Sequence, residues 1–271
     1  MPTAELGVWH GARYDRRATT TTGGGDIGLE FLDLRRTRDP GLLEAVHRDL
    51  FVPNFPDPEE QEGPDDWSPR LWGHPEPPQP EQHGFVAGTH LGSADKRSLA
   101  GFAFVERYRE SRCALLSYIA VDKGRRERGL GRELFDRTLS SARQAAEDDR
   151  QSLRAIFAEI HDPSRVHVAR DVIDPEDRLR IMQRLGGWRV PVTYVQPALD
   201  KDSESSDRLM LIAFPLDGAT KLAASAVSEF LSEYYRALGI ADPGVDPDLR
   251  RVERELESLG VGPIDLAPLE P

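Results

Sequence analysis

Two glycines placed where an amphipathic helix begins constrain this chain more than any other feature. The segment Val121-Asp122-Lys123-Gly124-Arg125-Arg126-Glu127-Arg128-Gly129-Leu130-Gly131-Arg132 follows a nearly continuous apolar run, Ala114 to Val121. It precedes a stripe formed by Leu130, Leu134, Phe135, Leu139 and Ala142. The run reads as a strand covered on both faces and the stripe as a helix with one buried side. A glycine costs about 1 kcal/mol in a helix interior. Gly129 and Gly131 therefore belong in the turn and the first helical turn, where a ligand can approach the backbone closely. A helix start offers unpaired N–H groups and the positive end of the macrodipole. With Lys123, Arg125, Arg126, Arg128 and Arg132 beside it, the turn is a candidate anion site suited to phosphate. A solvated basic helix start would explain the arginines but not the glycines. Gly124 and Gly129 have the spacing of a nucleoside-triphosphate loop, but Leu130 and Gly131 stand where Lys and Ser or Thr are needed. The dinucleotide fingerprint fails too, because Arg126 occupies the position of its second glycine.

Around this turn the pattern alternates between strand and helix. Leu29–Leu34 reads as a first strand. Asp39-Pro40 starts a helix whose inward face carries Leu42, Leu43, Val46 and Leu50. Phe85–Thr89 and Ala100–Val105 read as paired strands, and Leu153–Ile160 as a further strand. Asp174-Pro175 starts a helix ended by Gly186-Gly187. Trp188–Tyr194 and Leu209–Phe214 are expected to form a closing hairpin. Two last helices follow. One carries Val227, Phe230, Leu231, Tyr234 and Leu238 on a face, and the other carries Leu249, Val252, Leu256 and Leu259. Packing on the domain is the simpler account of both, and a partner interface is the other. Two stretches lack period. Residues 1–28, with four threonines and three glycines in a row, read as a mobile tail. Residues 53–82 are rich in Pro and acid but hold Phe55, Trp67, Leu71 and Trp72, so they read either as a substrate-side flap or as a solvated insertion.

The motif Arg126-x-x-Gly129-x-Gly131, with Tyr118-Ile119-Ala120-Val121-Asp122 before it and Leu134-Phe135 after it, resembles the pyrophosphate-binding motif of the GNAT superfamily of acyl-CoA-dependent N-acyltransferases. The order of elements from Leu29 to Phe214 is similar to that fold as well. The resemblance implies an α/β (α+β) domain over residues 29–216, with a mixed central sheet whose parallel strands splay apart between flanking helices. Residues 217–271 would be a C-terminal helical extension. It implies acetyl-CoA as the acyl-donor co-substrate, with no metal. Main-chain groups of Ile119, Ala120 and Val121 would hold the pantetheine arm, and Arg126, Glu127, Arg128, Gly129, Leu130 and Gly131 would wrap the diphosphate. The acceptor would be a primary amine of a small molecule or peptide.

An amine near a pKa of about 10.4 must lose a proton before attack. Glu159 and His161 lie two apart at the end of their strand and point to one side. Glu159 is the first candidate for base or amine-orienting carboxylate, and an ion pair with Arg178 or Arg154 is the competing reading. Family members often place a general-acid tyrosine a few residues ahead of a Gly in the helix before the last hairpin. Met182 occupies that register here. Tyr194 and Tyr118 are the stand-ins, each with a competing reading as a core residue. A non-catalytic acyl-CoA-binding module is therefore the alternative to a transferase.

Composition bounds the rest. The chain of 271 residues has 35 Lys+Arg against 47 Asp+Glu, a net charge of −12. That average surface disfavours a nucleic-acid partner. No apolar run approaches the roughly 20 residues of a membrane span. The single cysteine, Cys113, and an N-terminus without an apolar core segment point to a cytoplasmic protein. His161-Asp162 is too little for a metal site. A homodimer is left open.

Overall fold

The computed structural model describes residues 28–56, 62–126, 128–165, 173–198, 205–216, 218–260 and 262–270. The expected tail up to residue 27, Glu127, and residues 199–204 between the two strands of the expected closing hairpin lie outside the described residues. Seven strands form one mixed sheet. They are β1 (Glu30–Asp33), β2 (Glu81–Thr89), β3 (Ser98–Tyr108), β4 (Cys113–Val121), β5 (Ala155–His161), β6 (Trp188–Arg189) and β7 (Leu209–Phe214). Their order across the sheet is β1-β2-β3-β4-β5-β7-β6. Every pairing is antiparallel except β4 with β5. That single parallel pair requires a crossover, which is the long helix after the glycine turn.

The helices sort onto two faces. α1 (Leu34–Thr37), α2 (Pro40–Val46), α3 (Val52–Asn54) and α4 (Pro64–Trp72) cover one side of β2–β4. α5 (Leu130–Asp148) and α6 (Pro175–Arg184) cover the opposite face. α7 (Ala224–Ala237) and α8 (Pro247–Ser258) return to the first face over β5. A small pair, β8 (Lys221–Ala223) with β9 (Pro263–Asp265), ties the chain's last segment to the start of α7. No helix among the described residues is long and apolar enough to cross a membrane.

The helix starts follow their capping residues. The Asp39 carboxylate accepts from the Leu42 amide at 3.1 Å, Asp174 from Glu176 at 2.9 Å, and Asp246 from Leu249 at 2.9 Å. α2 runs into a π-helical turn, His47–Phe51, before α3. This wide turn brings Phe51 and the end of α3 down onto the edge of β4.

Three elements differ from the sequence reading. The stretch from 53 to 82 contains α4, whose Trp67 and Leu71 are buried among Phe51, Phe102 and Phe104. Pro64 and Pro69 within a short polar stretch hid this helix, since only Trp67 and Leu71 mark its inward face. The closing hairpin is shorter than expected. Trp188 and Arg189 pair with β7, Val190 adds one bond to the Leu211 carbonyl at 3.0 Å, and the ladder ends there because Pro191 cannot donate to it. The chain then turns across the first face, so Tyr194 packs over the sheet instead of within it. Leu259 is exposed, one position beyond the buried stripe of α8.

A buried polar cluster locks α1 and α5 to the sheet. Glu81 accepts from Arg35 at 2.5 Å and from Arg107 at 2.7 Å, and Arg107 also reaches Asp149 at 2.6 Å. His83 sits inside it, with Nδ1 at 2.9 Å from the Ser141 hydroxyl and Nε2 at 3.0 Å from Arg35. Since Arg35 can only donate, the imidazole is neutral, and burial pulls its pKa down to about 4 from 6.5. The unfolded chain binds this proton at higher pH than the native one does. Stability is therefore full above pH 6.5 and falls as pH drops towards 4. Acidifying from about pH 7.5 to about 4.5 is expected to lower the unfolding free energy by roughly 2–3 kcal/mol through this group alone. Urea unfolding of His83→Gln beside the parent checks it, because the variant should show a flatter pH dependence over that window.

Candidate active site

β4 and β5 pair over only three positions, Cys113 with Ala155, Ala114 with Ile156 and Leu115 with Phe157. Beyond Leu115 the two strands separate. The cause is visible in the β3–β4 register, which slips between Phe104 and Val105 and leaves Ser117 as an extra residue in β4. A bulge of this kind bends its strand. The gap widens towards the C-terminal ends of both strands into a cleft of about 480 Å³. Leu116, Ser117, Ile119, Ala120 and Val121 line one wall, and Ala158, Glu159 and Ile160 line the other.

The polar groups of β4 in this gap follow from alternation. Asp122 donates to the Ala100 carbonyl at 2.8 Å, so Ala120 and Tyr118, two and four residues earlier, also bond β3. The N–H and C=O groups of Ile119 and Val121 therefore face the cleft. The Val121 carbonyl accepts from Arg126 Nε at 3.2 Å.

One end of the cleft is the start of α5. Gly129 is its N-cap residue, in the left-handed region at φ 79°, and no side chain caps this end. The first intrahelical bond runs from Glu133 to the Gly129 carbonyl, so the N–H groups of Gly129, Leu130, Gly131 and Arg132 precede the ladder. These four residues line the cleft. A Cβ placed on Gly129 would meet nothing within 4 Å, so the space above this backbone is open. The result is a cradle of peptide donors with the helix dipole behind it, which fits a diphosphate.

The arginines of the motif are not all aimed into the cradle. Arg126 reaches Val121 and the Asn54 side chain, whose Oδ1 accepts at 3.1 Å. Asn54 Nδ2 in turn donates to the Leu50 carbonyl at 2.7 Å, fixing that amide on the cleft wall. Arg132 bonds the carbonyls of Arg184 and Leu185 at the end of α6. It thereby sets Ile181, Met182 and Leu185 against the cleft, where Met182 offers a thioether and no proton. Arg125 lines the cleft beside them.

The other end carries Glu159. Alternation along β5 buries Ala155 and Phe157 on the first face and Ile156, Ala158 and Ile160 on the second, so Glu159 projects to the first face. Three neutral donors converge on its carboxylate. The Tyr194 hydroxyl bonds Oε1, while Gln196 Nε2 at 2.9 Å and the Tyr234 hydroxyl at 3.0 Å bond Oε2. Burial, with Glu159 next, pushes both phenols well above the usual tyrosine value. They hold their protons and serve as donors. Tyr194 is buried and does not line the cleft. Tyr118 packs its ring edge-on against Phe51 and Phe55, at 4.8 and 5.1 Å between centroids. Close by, Glu106 on β3 accepts from Arg70 of α4 at 2.8 Å and from Tyr108 at 3.2 Å. Burial, against the pull of Arg70, pushes the Glu106 carboxyl up to about 7.

Tyr234, Gln196, Asn54 and Glu106 escaped the sequence reading. Tyr234 looked like one more apolar position of its helix, and only its pairing with Tyr235, where Leu would fill the same space, hinted at a bonded hydroxyl. Asn54 and Gln196 lie in segments without period.

A donor cradle at a helix start, set at the mouth of two splayed parallel strands, is the architecture of an acetyltransferase fold. Residues 47–166 match the model of the Acetyltransferase (GNAT) family. No curated protein matches the sequence. Solved structures of similar fold include the ribosomal-protein-S18-alanine N-acetyltransferase from Escherichia coli, at 15% identity and TM-score 0.41 over 70% of this chain and 96% of that one. An acetyltransferase of GNAT family from Staphylococcus aureus shows 12% identity and TM-score 0.43 over 70% and 99%. Ard1 from Thermoplasma volcanium shows 17% identity and TM-score 0.44 over 69% and 97%.

Proposed function

We propose that this cleft binds acetyl-CoA and transfers its acetyl group to a primary amine of a small molecule or peptide. The observation that carries the reading is continuity. One cleft joins the uncapped start of α5 to the Glu159 carboxylate, with the splayed edge of β4 between them. Gly129, Leu130 and Gly131 would receive the diphosphate on backbone N–H groups, with Arg126 and Arg128 supplying charge nearby. Ile119, Ala120 and Val121 would form the strand edge along which the pantetheine arm lies. The Ile119 N–H is placed to hold the negative charge that develops on the thioester oxygen. Glu127 lies outside the described residues and receives no role.

Glu159 would take the proton of the incoming ammonium. The C–N bond then forms, the C–S bond breaks with its electron pair leaving on sulfur, and the second proton of the attacking nitrogen is released to water, leaving the neutral amide. Met182 cannot protonate that sulfur, and Tyr194 spends its hydrogen bond on Glu159. The sulfur is left to depart as a thiolate, which a reference thiol pKa of about 8.5 permits near neutral pH. Tyr194 then orients the carboxylate and donates no proton to the leaving group.

Met182 also favours a second reading, a module that holds acyl-CoA without turnover. Release of free thiol from acetyl-CoA, measured with putrescine, lysine, phenethylamine and an alanine-led peptide, separates the two. At least one amine is expected to raise the release rate well above the amine-free rate. Tight acetyl-CoA binding by calorimetry with no amine-dependent release would establish the module.

A further inference from the structure

We propose that the C-terminal helix α7 completes the acceptor end of the cleft, with Tyr234 as a positioning residue for Glu159. The inference rests on the catalytic reading of Glu159 given above. The family match ends at residue 166, and Tyr234 lies beyond it.

The placement of Tyr234 follows from how α7 is docked. Glu233 is buried and accepts from the backbone N–H groups of Glu110 at 3.1 Å and Ser111 at 2.7 Å, which pins the helix to the turn between β3 and β4. Phe230 stacks on Phe157 of β5, with centroids 4.4 Å apart and planes 16° apart. From Phe230 to Tyr234 is four helical residues, an advance of about 6 Å. From Phe157 to Glu159 is two strand residues, an advance of about 6.6 Å. The two elements therefore keep step, and the stacked phenylalanine pair brings the tyrosine hydroxyl onto the carboxylate one repeat further on. Its neighbour Tyr235 donates to the Val195 carbonyl at 2.6 Å, which holds the segment that carries the other two donors, Tyr194 and Gln196. All three donors to Glu159 thus depend on α7, one directly and two through Val195.

The chemical consequence concerns which form of the acid is held. An ionised carboxylate can accept from both phenols and the amide N–H at once, whereas a protonated acid would need one phenol to turn and accept instead. The arrangement therefore favours Glu159 as a charged acceptor beside the cleft. Other groups facing it are Glu106 from β3, which opposes its charge, and Tyr235 from α7. Asp177 and Arg178 of α6 line the same cleft.

Tyr234→Phe keeps the ring, its stacking on Phe230 and its edge contact with Tyr108 at 6.0 Å, and removes only the hydroxyl. With the best amine of the panel, kcat is expected to fall about tenfold while the acetyl-CoA affinity stays at the parent value. Losing one donor to the ionised form raises the carboxyl pKa, so the acid limb of the pH–rate profile should move up by about half a unit to one unit. Glu233→Gln serves as the comparison. It loosens the same helix but keeps the Tyr234 hydroxyl, so it should lower Tm while shifting that limb less than Tyr234→Phe does. A limb shifted equally in both variants, or in neither, overturns the proposal. Glu159→Gln separates the two levels of inference. If it keeps the parent rate, the catalytic reading of Glu159 fails and this inference with it. If it is slow but Tyr234→Phe leaves the profile unmoved, only this inference fails. Should no amine react, carboxyl 13C titration of the full chain supplies the answer, with the Glu159 signal assigned by its loss in Glu159→Gln. That signal should titrate at higher pH in Tyr234→Phe than in the parent, and an unchanged midpoint counts against the proposal.

Discussion

Gly129→Glu is expected to remove measurable acetyl-CoA binding while leaving a folded protein. The residue sits at φ 79°, and a Cβ there would stand in open space with nothing within 4 Å. A non-glycine residue at this position carries a left-handed backbone cost of about 1–2 kcal/mol, but no packed neighbour has to move. The new carboxylate would project into the open space above the N–H groups of Leu130, Gly131 and Arg132. It would compete for the donors and the dipole that a diphosphate needs, and it would repel that anion in a confined site. Affinity by calorimetry should fall by a factor of a hundred or more, about 2.7 kcal/mol. Gly129→Ala isolates the backbone cost, because it carries the same strain without charge, and should lose less than tenfold. Equal losses in the two variants would place the effect in the turn's conformation. Unchanged affinity in Gly129→Glu would remove this helix start from the binding site.

The half of the site around Gly129 was legible in the sequence because its signals are local. A buried strand, a glycine turn and an amphipathic helix are consecutive, and each has its own period or punctuation. The splay of β4 from β5 came only through the resemblance, since the bulge at Ser117 leaves no trace in an apolar run. At the other end, Glu159 could be picked out as a charge in an apolar strand, but its partners could not. Tyr194, Gln196 and Tyr234 are 35, 37 and 75 residues away in the chain. They meet because Pro191 ends a strand and a phenylalanine stack sets a helix in register. Arg154, one of the two cations expected beside Glu159, is engaged elsewhere for a related reason. It lies before the strand begins and is drawn to Glu229 and Ser225 of α7. The same helix thus holds that cation at the far end of β5 and brings a neutral donor to Glu159.

Glu159→Gln should give the largest kinetic effect. The amide is nearly isosteric but cannot accept a proton, so kcat is expected to drop by about 10²–10⁴, the range for losing a positioned base. Acetyl-CoA affinity should hold within about twofold, because Tyr194, Gln196 and Tyr234 donate to this side chain at the end of the cleft away from the start of α5. One of the three donors would then face an NH2 group in place of an oxygen, so a stability loss of about 1–3 kcal/mol accompanies the change. Temperature and rate must therefore be read separately. The pH profile distinguishes a base from a simple anchor. Without Glu159, only amine that is already neutral in solution can react, so the variant's rate should rise about tenfold per pH unit towards the amine's own pKa near 10.4. The parent should instead reach its plateau once Glu159 is ionised. An acceptor that is already neutral at about pH 7 sharpens the contrast. With such an amine the variant should recover most of the parent rate if proton removal is the lost function. A deficit of the same size for neutral and cationic amines would assign Glu159 to holding the acceptor in place.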